Sequence, residues 1–237
     1  MPLSVSTKDR LIIALDVPNA AQAQNLVRSI GDAGVFYKVG LELFTAEGPP
    51  IVRELVASGK KVFLDLKIHE IPNSAAGAIR SAAALGVSMV TVHATGGLKM
   101  MQAASIAALA ASHRVTVLAV TILTSLSEGE VKEIGYSANA TDQVVRLAIM
   151  AKNAGCGGVI ASPQEVRRLR SEIGPEMAIV TPGIRPLGSE IGDQARIATP
   201  GDALRSGASH LVVGRPINAA SDPASATRTI LEEMQQA

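Results

Sequence analysis

Short apolar runs rich in β-branched residues recur along the chain: LIIALDV, VFYKVG, KVFLDLK, VSMVTVHA, VTVLAVTI, GGVIA, MAIVTPGI and HLVVGRPI. Each has the length of a strand, and each is bounded by turn residues. Between them lie stretches with helical spacing of apolar positions, among them AAQAQNLVRSI, PIVRELVASG, NSAAGAIRSAAALG and SPQEVRRLRSEIG. Several of these end in glycine just before the next strand, as in ALGVSMV, NAGCGGVI and RSGASHLVV. Glycine there supplies a left-handed C-cap and a tight turn. Asn19, Ser162 and Thr199 stand at N-cap positions of proposed helices. Eight strand–helix units in 237 residues predict an α/β chain folded as one TIM-type (β/α)8 barrel, a single domain over residues 1–237. No G-x-G-x-x-G follows the first strand, which weighs against an open dinucleotide-binding sheet.

Composition narrows the picture. Aromatic residues make up 2% and Trp is absent, so the core must be built from Ala, Val, Ile and Leu. A formal net charge of +1 gives no electrostatic case for nucleic acid or an acidic membrane as partner. The longest apolar run, VTVLAVTIL, is far too short to span a bilayer. The opening residues MPLSVSTKDR lack the apolar core of a signal peptide, and a cytoplasmic protein is expected. A single cysteine, Cys156, excludes an internal disulfide and fits a reducing compartment; it reads as a small packed residue.

Barrel architecture puts chemistry at the C-terminal ends of the strands. Polar residues gather there: Asp16 closes the first strand, Lys38 the second, Asp65 and Lys67 the third and His93 the fourth. Thr121 and Thr124 follow the fifth, Arg185 the seventh and Arg215 the eighth. The segment VFLDLKIHEIPNS concentrates the signal. A strand alternates its side chains, so Phe63, Asp65 and Lys67 share one face while Val62, Leu64 and Leu66 take the other. Charged groups at the end of a buried strand are costly unless they pair or react. Two lysines and two or three carboxylates in one cavity make a fixed array of charge that water would otherwise have to reorganise around a reacting group.

The motifs ALDV, YKVG, FLDLKIHEIPNS, VTVHATGG, AVTILTS, TPGIRP and VVGRPI, taken together and in order, closely resemble the orotidine 5′-phosphate decarboxylase family. The resemblance implies decarboxylation of orotidine 5′-monophosphate to uridine 5′-monophosphate by a homodimer that uses neither metal nor organic cofactor. It makes Lys67 the proton donor and places Asp65 near the substrate's carboxylate. Lys38 then links the carboxylates to the ribose, which Asp16 binds. Thr124 and Ser125 read the pyrimidine edge; Pro182 and Arg185 of TPGIRP add binding contacts; Gly214 and Arg215 hold the phosphate. The segment from about Ile184 to Ala198 is the loop that closes over the substrate, and its Gln194 touches phosphate and base.

Three positions depart from the family pattern. Glu70 stands where the family has an aspartate that reaches into the partner subunit's site and, keeping the charge, is still expected in the catalytic set. Ser74 stands for a threonine, keeps the hydroxyl and is expected to bind substrate. The loop reads GDQ where GDDQ is common, one residue fewer. Two other readings are open at this stage: a sugar-phosphate decarboxylase or synthase that binds magnesium on the same barrel, and a silent nucleotide-binding relative. His69 is expected in a loop outside the reacting groups and His93 as a structural histidine, while His113 and His210 carry no signal.

Overall fold

All eight apolar runs form strands, and the strands close into a parallel barrel in sequence order. The computed structural model describes residues 6–186 and 197–237. The strands are β1 (Leu11–Ala14), β2 (Phe36–Gly40), β3 (Lys61–Ile68), β4 (Met89–His93), β5 (Thr116–Val120), β6 (Gly158–Ile160), β7 (Ala178–Thr181) and β8 (His210–Val213). The barrel shuts where Leu11, Ile12 and Ile13 of β1 pair with Leu211, Val212 and Val213 of β8. Parallel neighbours need crossovers, and helices supply them, including Ala20–Ile30, Pro49–Ala57, Pro72–Ala84, Leu98–Leu109, Ala140–Asn153 and Pro223–Gln235. Among the described residues, no helix is long and apolar enough to cross a membrane.

Strand alternation sorts the apolar side chains into two cores. Ile12, Ala14, Phe36, Phe63, Met89, Leu118, Val180 and Val212 pack together without any helical residue, so they fill the barrel's interior. Their sequence neighbours, such as Ile13, Tyr37, Val62, Leu64 and Val90, pack outward against the helices. Two of the chain's three phenylalanines, Phe36 and Phe63, lie in this interior. At Gly158 a side chain would stand 2.5 Å from the Ala178 carbonyl, so only glycine fits.

Two of the three caps expected from sequence form. Asn19 and Thr199 accept hydrogen bonds from the amides of Gln22 and Asp202, as caps should. Ser162 does not cap a helix. It accepts from the Gln164 amide in a turn, and the helix begins later, at Val166 with Glu165 as its flanking residue.

The N-terminal face of the barrel is held by arginines bonded to main chain. The Arg170 guanidinium donates to the carbonyls of Gly174, Met177 and Gly207 and to Ser209 Oγ. Arg10 donates to the carbonyls of Ala208 and Ser209. His210, at the start of β8, meets Phe36 edge to face with ring centroids 6.2 Å apart. Its Nδ1 is buried without a hydrogen-bond partner among the described residues, and burial pushes its pKa down to about 4.

Candidate active site

The opposite, C-terminal mouth of the barrel holds a cavity of about 570 Å³, within the range that small-molecule sites occupy. Strand parity delivers its floor: Ala14, Phe63, Val120, Ile160 and Val212 all point inward below it. Asp16, Lys38, Asp65, Lys67, Thr124, Ser125, Pro182, Arg185, Gly214 and Arg215 line its walls. Of the residues expected from sequence, these ten are brought together.

One side carries a chain of alternating charge. Asp16 Oδ1 lies 2.7 Å from Lys38 Nζ, Lys38 Nζ lies 4.0 Å from Asp65 Oδ2, and that same oxygen lies 2.8 Å from Lys67 Nζ. The Lys38 and Asp65 side chains are only 11% and 12% exposed, so this pair is shielded from water, whereas Asp16 is open at 56%. Asp16 is not the last residue of β1, which ends at Ala14; it stands on the following loop and so reaches the mouth. Gly40, two residues beyond Lys38, leaves the ammonium its room, for a side chain there would come within 2.9 Å of Lys38 Nζ.

Lys67 is held in an unusual backbone conformation. Its φ is 50°, the left-handed region, and no other described residue except glycine has a positive φ. The cause is local. Leu64 pairs with Val90 and Ile68 with Val92, so Asp65, Leu66 and Lys67 stand against Thr91 alone. This bulge breaks the ladder at the charged Asp65–Lys67 motif. The Lys67 amide donates to Thr91 Oγ1 at 2.8 Å, and Thr91 Oγ1 donates to Asp65 Oδ1 at 2.9 Å.

The other side carries cations of a different kind. β7 and β8 lie across the ring from β3 in an eight-stranded barrel. Arg185 follows β7, and Arg215 opens the short helix Arg215–Asn218 after β8. Burial, and then the nearby Arg215, pulls the Arg185 pKa below its ordinary value, yet a guanidinium stays charged. Two such forks at one end of the cavity suit a multiply charged oxyanion. Sequence reasoning missed Asn218, which lines the cavity and donates to the Ala14 carbonyl at 2.8 Å, tying this helix to β1. Its place three residues after Arg215, on the same turn of helix, was the available signal.

Other expected residues lie elsewhere. Thr121 does not face the cavity; its hydroxyl donates to the Ile160 carbonyl and supports the β5–β6 seam. Glu70 and Ser74 are exposed on the rim beyond β3 and do not line this chain's cavity. Glu70 accepts a hydrogen bond from the Ile71 amide at 2.6 Å. Gln194 and most of the proposed closing loop lie outside the described residues. The ends of that loop are fixed: Ile184 and Ala198 form a bridge, and the Arg185 amide donates to the Ala198 carbonyl. His93 stacks on His69 at 5.3 Å and bonds Thr95 through Nδ1. Burial, with His69 and Lys67 nearby, lowers its pKa and so favours the neutral ring. Cys156 is buried and bonded to Ser105, and burial pushes its thiol up to about 11, which leaves it inert. Among the described residues, no three His, Cys, Asp or Glu side chains converge as metal ligands would.

The family model described as orotidine 5′-phosphate decarboxylase / HUMPS family matches residues 9–230. A Moorella thermoacetica protein named orotidine 5′-phosphate decarboxylase is 48% identical, the match covering 98% of this chain and 95% of that one. A Halorhodospira halophila protein of the same name is also 48% identical, over 99% of this chain and 100% of its own. The crystal structure of orotidine 5′-phosphate decarboxylase from Lactobacillus acidophilus superposes with a TM-score of 0.86 at 42% identity, covering 94% of this chain and 98% of that one.

Proposed function

The chain belongs to the orotidine 5′-phosphate decarboxylase / HUMPS family, and from that premise we propose that it converts orotidine 5′-monophosphate to uridine 5′-monophosphate and CO2. The observation that carries this reading is the Lys67–Asp65 pair, 2.8 Å apart on a cavity wall, with two guanidiniums across the barrel from it. A phosphate at Arg185 and Arg215 lays the nucleotide across the mouth and brings C6 of its base against β3. Thr124 and Ser125, between the two ends, face the base edge. Asp16 and Lys38 face the ribose.

The chemistry follows from charge. When the bond from C6 to the carboxylate breaks, CO2 departs and the electron pair stays on C6, outside the ring's π system. Resonance cannot spread it well, so a fixed cation must stabilise it. The Lys67 ammonium does so and then gives C6 its proton, after which the amine regains one from solvent. Asp65 sits beside the place the substrate's carboxylate takes and opposes it by like charge until CO2 has left. Lys38 holds Asp65 in place from the other side.

Homodimerisation completes the site in this reading. An exposed apolar residue follows each of β2, β3, β4 and β5 at the rim: Leu41 and Leu98 open helices, and Ile71 and Leu123 stand in loops. A second copy covering that face brings each Glu70 over its partner's cavity, a role open to Glu70 because it is exposed and does not line its own. The direct test is to mix pure protein with orotidine 5′-monophosphate and follow its ultraviolet absorbance. Loss of signal matched by uridine 5′-monophosphate is expected; an unchanged spectrum refutes the assignment.

A further inference from the structure

We infer that Thr91, which touches no substrate, is the positioning residue that makes the Asp65–Lys67 pair competent. The inference rests on the decarboxylase reading above and deepens it. Thr91 is fully buried in the barrel interior, directly after Met89 on the inward face of β4, and does not line the cavity. Its hydroxyl performs two tasks with one oxygen. Where the bulge deprives Lys67 of a ladder partner, Thr91 Oγ1 accepts the amide at 2.8 Å. Having accepted that bond, it directs its own proton to Asp65 Oδ1 at 2.9 Å.

Both bonds act on the reacting end. Fixing Oδ1 turns Oδ2 toward Lys67 at 2.8 Å and Lys38 at 4.0 Å, so one carboxylate faces both ammoniums. Fixing the Lys67 amide holds the left-handed φ of 50° from which the side chain rises into the cavity. A residue in that conformation persists only where its surroundings over-determine it. Without the hydroxyl, Lys67 relaxes toward an extended backbone and the ammonium leaves the place where C6 reacts. Displacements of about 1 Å in such groups cost on the order of a hundredfold in rate.

The test compares Thr91→Val, Thr91→Ser and Thr91→Ala. Val keeps the shape and removes the hydroxyl, while Ser and Ala differ from each other by the hydroxyl alone. Thr91→Val and Thr91→Ala are expected to lose about a hundredfold in kcat with KM little changed, and Thr91→Ser to recover most of it. Amide hydrogen exchange at Lys67 should speed up by about an order of magnitude in Val and Ala but not in Ser. Equal losses in Ser and Ala, wild-type kcat in Thr91→Val, or a KM rise that accounts for the whole effect would each overturn the inference. If the wild type leaves orotidine 5′-monophosphate intact, the reaction reading fails alone, and Lys67 exchange in the Ser and Ala variants still decides whether Thr91 tethers it. Should Thr91→Val not fold, the Ser and Ala pair carries the test.

Discussion

Replacing Lys67 by alanine and, separately, by glycine should give two dead enzymes of different stability. For activity, the proposed mechanism uses the ammonium first as a charge. At about 4 Å and an effective dielectric of about 20, a unit charge stabilises a developing anion by roughly 4 kcal/mol, about three orders of magnitude. Its second role, as proton donor, is worth a further two to four orders, roughly. The Lys67 side chain is 35% exposed, so screening trims the first figure, and a loss of at least about 10⁴ in kcat is expected. For stability, both variants lose the same ion pair with Asp65, which cancels between them. What differs is the backbone at φ 50°. Alanine retains a left-handed cost of about 1–2 kcal/mol, which glycine escapes. Glycine gives back about 0.4–1 kcal/mol through the freer unfolded chain. The net is close to 1 kcal/mol in favour of Lys67→Gly, or about 2–4 °C in Tm for a chain of this size. Absorbance kinetics and thermal melts measure both quantities. A variant retaining a tenth of wild-type kcat refutes the role of Lys67, and an alanine variant at least as stable as the glycine one refutes the strain.

Activity should survive exhaustive EDTA, because two ammoniums already occupy the field of Asp65 Oδ2 and would repel a divalent cation; recovery of lost activity with magnesium would favour sugar-phosphate chemistry instead. Arg215→Ala should weaken capture of the phosphorylated substrate by roughly 1.5–3 kcal/mol while sparing turnover of the nucleoside, and equal losses on both would remove Arg215 from the phosphate end. His210 titrates at about 4 in the fold against 6.5 as its ordinary value, through burial and then the charges of Arg10 and Lys61. The unfolded chain therefore takes up a proton that the native state refuses. Stability falls as pH drops from 6.5 to 4, by on the order of 3 kcal/mol, and urea midpoints of His210→Leu should be flatter over that window. Mixing inactive Lys67→Ala with Glu70→Ala should rebuild one intact site per heterodimer, at up to about a quarter of wild-type activity for random pairing. Heterodimers that stay dead, although Glu70→Ala alone is impaired, would place Glu70 in its own subunit's site.

Fold and site differ in how far they could be read from sequence. Apolar runs such as KVFLDLK report burial on both faces directly, and eight of them with helical spacers admit few architectures. The shared face of Asp65 and Lys67 follows from strand alternation, and both line the cavity. The bulge does not follow, because nothing in FLDLKI marks where β3 slips against β4. Thr91 was therefore invisible as a tether, although a hydroxyl at an inward position between Met89 and His93 was a legible oddity. Thr121 shows the opposite error: position after a strand suggested the cavity, but its hydroxyl answered a local need of the backbone. Ser162 does not cap the helix because it closes a turn of its own first, accepting from the Gln164 amide while its amide donates to the Glu165 carboxylate, and the helix starts after that turn.

The arginines at the N-terminal face give the molecule two ends that answer differently to salt. Arg170 and Arg10 bond to neutral carbonyls and one hydroxyl, interactions whose strength does not depend on a counter-charge. At the mouth, the groups proposed to grip the phosphate and to react are ions, and Asp16 at its edge is open to solvent. Added electrolyte shortens the range over which such charges are felt, from about 10 Å at 0.1 M to about 3 Å at 1 M. Substrate capture should fade with ionic strength well before the barrel loosens, so that a concentrated brine yields a folded, idle enzyme. Dilution would restore it without refolding, since the floor that organises the strands never let go.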